Sequence, residues 1–254
     1  MDMPFYDPDD ETGYYWTEGA FHFRHFEMVA KGKNIPEIDT EIQYPEGLNT
    51  KKYITPVMVW VAGTIYRWFF KGMALHTYLI WFTSIFSSLS VIAIYLAAKF
   101  MWRSDWAAIV TAFFYTVAPA SFLRTAGGAF IREDFALPFI FFSFACFVYC
   151  LRKDSVFVSL TGTVLLIIAL ASWHLTQFYL TLFIGSLAIV YLLQKEADFP
   201  KVSLAVLTGG LVIASLTVPV LRSKYMIASY PLMVSNGFCV ILWVLPRFGI
   251  RGGK

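Results

Sequence analysis

The chain has 254 residues, of which 58% are hydrophobic, 19% aromatic and 15% charged, and its mean hydropathy is +0.61. A soluble globular domain is usually about 45–50% apolar and about 25% charged, so this composition excludes an ordinary soluble protein and indicates an integral membrane protein. The formal net charge is +3, and no basic stripe is interleaved with aromatic residues, so the sequence does not support nucleic-acid binding. Cys146, Cys150 and Cys239 lie in apolar stretches and predict neither a disulfide nor a metal cluster.

Residues 1–74 are predicted to form an external region that carries interfacial helices. Eleven of the 17 acidic residues lie in residues 1–46. Residues 14–31 read as a helix that ends at Gly32, because glycine readily adopts the left-handed conformation that follows many helices. Residues 55–70 read as an amphipathic helix lying at the membrane surface, with lysine residues on both sides.

Seven apolar segments follow within residues 75–246, and each approaches the roughly 20 residues that a helix needs to cross a bilayer. They span residues 75–98, 106–122, 135–151, 156–171, 175–193, 202–221 and 226–245. Residues 172–174 interrupt the fourth and fifth segments, and residues 247–254 are predicted to form a cytoplasmic tail. The predicted fold class is therefore all-α, a polytopic membrane protein with a bundle of about seven transmembrane helices.

The distribution of basic residues between the loops predicts the orientation of the bundle, because short cytoplasmic loops carry more lysine and arginine than external ones. One set of loops carries nine basic residues, namely Lys99, Arg103, Arg152, Lys153, Lys195, Lys201, Arg247, Arg251 and Lys254. The other set carries four, namely Arg124, Arg132, Arg222 and Lys224. The first set is predicted to be cytoplasmic. The N-terminal region and the loop at Glu133 then lie together on the lumenal or extracytoplasmic face.

Two acidic segments on that face are the candidate site. Asp9, Asp10 and Glu11 precede the first predicted helix, and Glu133 and Asp134 are the acids in the external loops between spans. A carboxylate at the centre of a bilayer costs about 2.5–3.5 kcal/mol, so acids beside apolar helices indicate a water-filled or ligand-filled site. Carboxylate oxygens are the ligands that Mg²⁺ and Mn²⁺ prefer. The alternatives are a solvated N-terminus for the first segment and acids stabilising a helix N-terminus for the second.

Other polar residues on the same face are candidate ligand contacts. Arg124 and Arg132 flank a Gly-Gly pair and could bind a phosphate or pair with the nearby acids. Arg124 could also extend its side chain to the membrane surface. Trp173 and His174 lie at the helix interruption, where a polar group could meet a ligand, although tryptophan also commonly anchors helices at the interface.

A further set of polar residues lies in the first predicted helix. Glu18, His22 and His25 are spaced by four and three residues, which places them on neighbouring turns. This spacing permits metal binding, but the HExxH pattern of zinc enzymes is missing, so a catalytic role is the weaker interpretation.

The order of these segments resembles the catalytic subunit of oligosaccharyltransferase, a membrane glycosyltransferase of the GT-C fold. In that family an acidic residue in the first external loop is followed by a helix rich in aromatic residues and by a Tyr-Pro turn. A second acidic motif comes after an Arg-Thr/Ser-x-x-Gly stretch. A later helix begins with a tryptophan. The matching residues are 9–20, 43–47, 87–99, 124–128 and 172–174. The resemblance covers most of residues 7–190 and implies a GT-C-like helical bundle with an external first loop.

The sequence also departs from that family. Its second acidic motif is usually Asp-x-Asp or Asp-x-Glu, and an ungapped alignment from Gly128 puts Ile131 at the first acid and Glu133 at the second. Asp134 is then the substitute for the first acid. The family's first transmembrane helix, its later external-loop acid and its Trp-Trp-Asp acceptor-binding motif have no counterpart here. The chain is therefore expected to be a fragment that corresponds to the front half of such an enzyme.

The resemblance implies a reaction and a metal. Such an enzyme transfers a glycan from a polyprenyl-(pyro)phosphate donor to an asparagine of an acceptor polypeptide, so negative charge builds on phosphate oxygens as the donor is cleaved. A divalent ion, Mg²⁺ or Mn²⁺, held by Asp10, Glu133 and Asp134 would neutralise that charge. The expected partners are this donor, the acceptor polypeptide and the lipid bilayer.

The resemblance also implies roles for individual residues. Asp10, with Asp9 and Glu11 as alternatives, is expected to be catalytic, because the first-loop acid of the family interacts with the acceptor amide. The expected substrate-binding residues are Arg132, which would contact the pyrophosphate, and Arg124, Trp173 and His174.

Two other functions are compatible with the sequence. Protein O-mannosyltransferases and lipid A aminoarabinose transferases share the fold and place an Asp-Glu pair in the same loop, which Asp10 and Glu11 match. A non-catalytic transporter or scaffold would need polar residues facing each other at mid-bilayer depth. The predicted spans contain few such residues and no charged ones, so this reading is the weaker of the two.

Overall fold

The computed structural model describes residues 18–42, 45–50, 54–119, 121, 130–193 and 200–244. These residues form helices, apart from one short strand pair, as the predicted all-α class requires. The external region contains α1 (Glu18–Ala30), β1 (Ile38–Asp39), β2 (Leu48–Asn49) and α2 (Val57–Ile65), which continues as a π-helical turn (Tyr66–Phe70). The bundle contains α3 (Leu75–Trp102), α4 (Asp105–Val117), α5 (Arg132–Cys150), α6 (Val156–Ser172), α7 (Thr176–Leu193), α8 (Lys201–Thr217), α9 (Pro219–Ser223), a 3₁₀ turn (Met226–Ala228) and α10 (Tyr230–Val244).

The first helix ends as its sequence predicts. Gly32 has a φ of +77°, and its N–H donates to the carbonyl of Val29 over 2.9 Å. The next N–H, that of Lys33, donates to the carbonyl of Met28 over 2.8 Å. These two bonds form a Schellman motif, in which the residue at the glycine position must be left-handed. Residues 14–17 of the predicted helix lie outside the described residues.

The second helix packs its apolar face on α1 and the start of α3. Phe26, Met58 and Val59 are buried in one cluster with Tyr78 of α3. A Cβ atom added at Gly63 would lie 2.6 Å from the Cγ1 atom of Val29, so the absence of a side chain there allows α1 and α2 to approach closely.

The other side of α2 supports its predicted amphipathic character. Trp68 and Phe69, in the π-helical turn, are 72% and 73% exposed. Arg67 and Lys71 lie beside them and are also exposed. Aromatic and basic side chains directly before an apolar helix are typical of a membrane interface.

A small antiparallel strand pair, which the sequence did not predict, ties the external region to α1. Ile38 pairs with Asn49 and Asp39 with Leu48. Asp39 is buried, and its two carboxylate oxygens accept hydrogen bonds of 2.9 and 3.0 Å from the guanidinium of Arg24 in α1. Strands of two residues are too short to show the alternating pattern by which strands are recognised in a sequence.

Each predicted apolar segment corresponds to a helix, with two notable differences in where the helices end. The helix predicted to reach residue 122 ends at Val117, and the helix predicted to reach residue 221 ends at Thr217. The next residues, Ala118 and Val218, have extended ψ angles of 126° and 115°, and each directly precedes a proline. Proline disfavours the helical conformation in the residue before it, which accounts for both early ends.

Contacts between loops define two ends of the bundle. At one end, a guanidinium N–H of Arg152 donates to the carbonyl of Met101, and Asp154 accepts a 3.0 Å bond from the N–H of Ser203. At the other end, the hydroxyl of Thr55 donates to the carbonyl of Ser172 over 2.6 Å. The bundle helices therefore alternate in direction. The starts of α5 and α7 lie at the same end as α1 and α2.

Two of the described helices, α3 and α5, are long and apolar enough to cross a membrane. The five other long helices of the bundle are apolar but contain shorter apolar stretches of 10–17 residues. Many of their large side chains are exposed, including Phe113, Phe157 and Phe178. A surface of this kind is favourable in a lipid environment and costly in water.

Candidate functional site

An ion pair between Glu18 and Arg132 joins the external region to the second acidic segment. The Nε and Nη2 atoms of Arg132 donate to the Oε1 atom of Glu18 over 2.9 and 2.5 Å, although the two residues are 114 positions apart. Glu18 begins α1 and Arg132 begins α5. The pair therefore connects the start of the first helix of the external region to the start of α5, next to the second acidic segment.

Buried aromatic residues hold this pair in place. His22, one turn after Glu18, is 1% exposed, and its Nε2 atom lies 3.4 Å from the Oε1 atom of Glu18. Its ring meets that of Phe130 edge-on at 6.4 Å, and Phe130 also packs against Phe26 at 6.0 Å. Phe130 comes two residues before Arg132, so this cluster fixes the start of α5 against α1.

The electrostatics of the pair favour a charged glutamate. The hydrogen bond from His22, followed by the hydrogen bond and charge of Arg132, lowers the pKa of Glu18 to about 2 despite partial burial. Burial is the main cause that lowers the pKa of His22, and the charge of Arg132 lowers it further, while Glu18 acts in the opposite direction. At neutral pH the glutamate is ionised and the histidine is a neutral donor to it.

The predicted acids Glu133 and Asp134 occupy the first turn of α5. Glu133 is half-buried and Asp134 is 2% exposed. A negative charge here is stabilised by the positive end of the helix dipole. The residue before the helix, Ile131, adopts the extended conformation of an N-cap (φ −122°, ψ 157°), but its side chain makes no capping hydrogen bond.

The helix interruption between α6 and α7 lies beside the start of α5. Trp173 is extended (φ −144°, ψ 114°) and packs against a small buried cluster formed by Ala136 and Ile140 of α5 and Ala169 of α6. Much of the His174 side chain is exposed, and partial desolvation, followed by the charges of Arg132 and Lys224, lowers its pKa. Trp173 is thus half-buried and His174 exposed, and substrate binding by both residues stays a prediction.

A groove of about 680 Å³ runs beside this interruption. Its lining includes Ile54, Pro56 and Trp60 on one side and Val220, Arg222 and Tyr225 on the other. Thr55, between two of the lining residues, bonds to the carbonyl of Ser172 at the end of α6. The groove therefore lies near the end of α6, and its lining is largely apolar and includes one arginine.

The metal site implied by the family resemblance lies only partly within the described residues, because Glu133 and Asp134 are described and Asp10 is not. Asp9, Asp10, Glu11 and Arg124 lie outside the described residues. Among the residues that are described, no group of three or more His, Cys, Asp or Glu side chains could hold a metal ion. The carboxylate of Glu18 is instead contacted by Arg132. The Glu18 carboxylate, already paired with Arg132, is therefore not suited to hold a divalent ion, and the prediction of Asp10, Glu133 and Asp134 as ligands stays a prediction.

Residues 21–245 match the family described as oligosaccharyl transferase STT3, N-terminal. The chain belongs to the STT3 family. This confirms the resemblance identified in the sequence, and it makes the chain a membrane protein. The dolichyl-phosphooligosaccharide-protein glycotransferase 1 of Archaeoglobus fulgidus is 30% identical over 168 residues, which cover 63% of this chain and 26% of that protein. The chain therefore spans about a quarter of the length of this relative.

The sequence analysis did not predict the pairing of Glu18 with Arg132. Its separation of 114 residues from Arg132 leaves no local signal for the pairing. The available signal was its position four residues before His22 at the start of a helix, which indicates a shared helix face but not a partner. Arg132 was named as a substrate-binding candidate, and that role stays a prediction; the structure shows its contact with Glu18 of the external region.

Proposed function

We propose that this chain forms the donor-binding membrane part of an oligosaccharyltransferase that transfers a glycan from a polyprenyl-(pyro)phosphate to an asparagine of a polypeptide. The STT3 family match and the archaeal glycotransferase support this activity. The observation that carries the proposal is the Glu18–Arg132 pair, because it assembles one polar site from two external segments beside an apolar bundle.

Arg132 is the residue best suited to bind the phosphates of the donor. Its side chain is 19% exposed and belongs to the first residue of α5, where backbone N–H groups and the helix dipole also favour an anion. When the bond between sugar and phosphate breaks, negative charge develops on the phosphate oxygens. A fixed guanidinium stabilises that charge without reorganisation. Lys224 and Arg222 add positive charge on the same face.

The groove between α2 and the α9 segment suits the apolar part of the donor. Trp60 and Tyr225 are 50% and 78% exposed and provide aromatic surface, and Arg222 provides a cation at the edge. A polyprenyl phosphate has the matching chemistry, a long hydrocarbon chain that ends in an anion. In this arrangement the phosphates lie near His174 and the chain follows the groove.

An acid of the external region is proposed to meet the acceptor amide. Asp10 is the residue predicted from the sequence, with Asp9 and Glu11 as alternatives. Glu18 is the acid of this region that contacts the second segment within the described residues, so it is a further candidate for the same role. Its lowered pKa keeps it ionised and able to accept a hydrogen bond from an amide.

The proposed topology places this site outside the cytoplasm. The long bundle helices alternate in direction, and the loops between them at the end that carries Arg132 have four basic residues, whereas the opposite loops and the C-terminal tail have nine. By the positive-inside rule this end is lumenal or extracytoplasmic. A lipid-linked donor and a translocated polypeptide would meet there.

A transfer assay in membranes containing the protein tests the proposal. The substrates are a labelled glycan on a polyprenyl diphosphate and a peptide with either an asparagine or a threonine acceptor. We expect transfer to the asparagine peptide, and Glu133→Gln and Asp10→Asn should each abolish it while leaving the amount of protein unchanged. Transfer to the threonine peptide instead would favour the O-mannosyltransferase type, and normal turnover in either variant would remove that residue from the site.

A further inference from the structure

We propose that the guanidinium of Arg132 stands in the place of the divalent cation that the family resemblance implies. The phosphates of the donor would then meet an arginine where a metal ion would otherwise lie. This inference rests on the proposed function for its substrate, but its geometry is independent of any assay of transfer.

The position of the guanidinium is the first step of the argument. Two N–H groups of Arg132 converge on one carboxylate oxygen of Glu18, the acid with which α1 begins. A metal ion bound to Glu18 would need to approach the same carboxylate and would be repelled by the adjacent positive charge. The cation that Glu18 binds in this structure is therefore supplied by the chain itself.

The residue before Arg132 is the second step. Ile131 aligns with the first acid of the family's second motif, and it occupies the N-cap position of α5. Aspartate is strongly preferred at an N-cap, because its carboxylate accepts a hydrogen bond from the first turn of the helix. Isoleucine offers neither that bond nor a metal ligand. This position therefore has no carboxylate next to the position that supplies a cation, and the substitute acid Asp134 lies two residues beyond Arg132 in the first turn of α5.

The chemistry of arginine makes the replacement workable. A guanidinium stays protonated at any physiological pH and carries five N–H donors, of which Arg132 uses two for Glu18. The remaining donors match the geometry of phosphate oxygens. Arg132 can thus balance the charge of Glu18 and bind the donor without a metal ion.

Binding of Mn²⁺ to the purified protein, followed by electron paramagnetic resonance, tests this proposal. Three forms are compared: the wild type, Ile131→Asp combined with Arg132→Asn, and the matched control Ile131→Asn combined with Arg132→Asn. Both double variants provide an N-cap residue and lack the guanidinium, and they differ in one carboxylate. Size-exclusion chromatography of each form verifies that it is folded.

We expect the wild type and the matched control to leave added Mn²⁺ free, and the Ile131→Asp double variant to bind one ion per chain at least tenfold more tightly. One ion bound by the wild type and lost in Glu18→Gln or Glu133→Gln would overturn the proposal. Absence of binding in both double variants would also overturn it, because removal of the guanidinium would then uncover no cation site. Since no donor or acceptor is present, these outcomes are independent of whether the protein transfers a glycan.

Discussion

Glu18 shows how one side chain links the stability of the external region to the candidate site. Its pKa lies near 2 because His22 and Arg132 stabilise the ionised form, whereas the ordinary value is 4.5. The stabilisation that ionised Glu18 gives to the folded state is therefore complete above about 4.5, and it is lost as the pH falls toward about 2. We expect the wild type to unfold at a higher temperature than Glu18→Gln above about pH 4.5, and this difference to disappear as the pH falls toward about 2. Intrinsic fluorescence of the protein in detergent measures both unfolding midpoints.

The control for this measurement is Glu46→Gln, which changes an exposed glutamate of the same external region. Surface substitutions away from specific contacts usually change stability by less than about 0.5 kcal/mol. Its unfolding midpoint should stay close to that of the wild type at neutral pH. If the difference in unfolding midpoint between the wild type and Glu18→Gln stays the same from about pH 4.5 to about pH 2, the ion pair is contradicted.

At the scale of elements, the contact between α1 and α2 depends on Gly63. Added to the helix backbone, a Cβ atom at this position would come within 2.6 Å of Val29 Cγ1 and 3.2 Å of the N atom of Ala30. Gly63→Ala should destabilise the protein by about 1–3 kcal/mol, the usual cost of overpacking. The change is measured as a lowered thermal midpoint.

Gly72→Ala is the matched control, because a Cβ atom at Gly72 would meet nothing within 4 Å. This variant should unfold at the wild-type temperature or slightly above it, since alanine reduces the flexibility of the unfolded chain. Equal destabilisation by both substitutions would show that the packing of α1 on α2 is not the cause.

The elements also show what could be predicted from the sequence. The bundle helices were visible because long apolar runs separated by polar or proline-containing loops admit few other structures. The end of α1 was visible because Gly32 gives a specific local signal. The strand pair around Asp39 and the Glu18–Arg132 pair were not visible, because both are created by packing between distant segments. The candidate site could therefore be located on one face, while its partners required the structure.

At the scale of the whole molecule, the alternating helices predict which residues are reachable from each side of the membrane. Ser223 lies at the end that carries Arg132, and Lys153 lies at the opposite end, and both are exposed. We expect Ser223→Cys to react with a membrane-impermeant maleimide in intact cells, and Lys153→Cys to react only after permeabilisation. The protein without either substitution is the control, because it shows how much maleimide reacts with the three free cysteines, which lie within helices of the bundle.

The reverse labelling pattern would place the candidate site in the cytoplasm and would contradict the proposed topology. Labelling of both cysteines in intact cells would contradict the assignment of the two ends to opposite faces. Either result would also separate the site from a translocated acceptor polypeptide.

The central claim is that Arg132 binds the phosphates of a lipid-linked donor at the junction of two external segments. Equilibrium binding of a fluorescent polyprenyl diphosphate to the purified protein tests it most directly. A charge-assisted hydrogen bond contributes about 1.5–3 kcal/mol, so Arg132→Gln should weaken binding by about tenfold or more. Arg67→Gln, at an exposed arginine of the same external region, should bind as the wild type does. Equal affinity of wild type and Arg132→Gln would contradict the account.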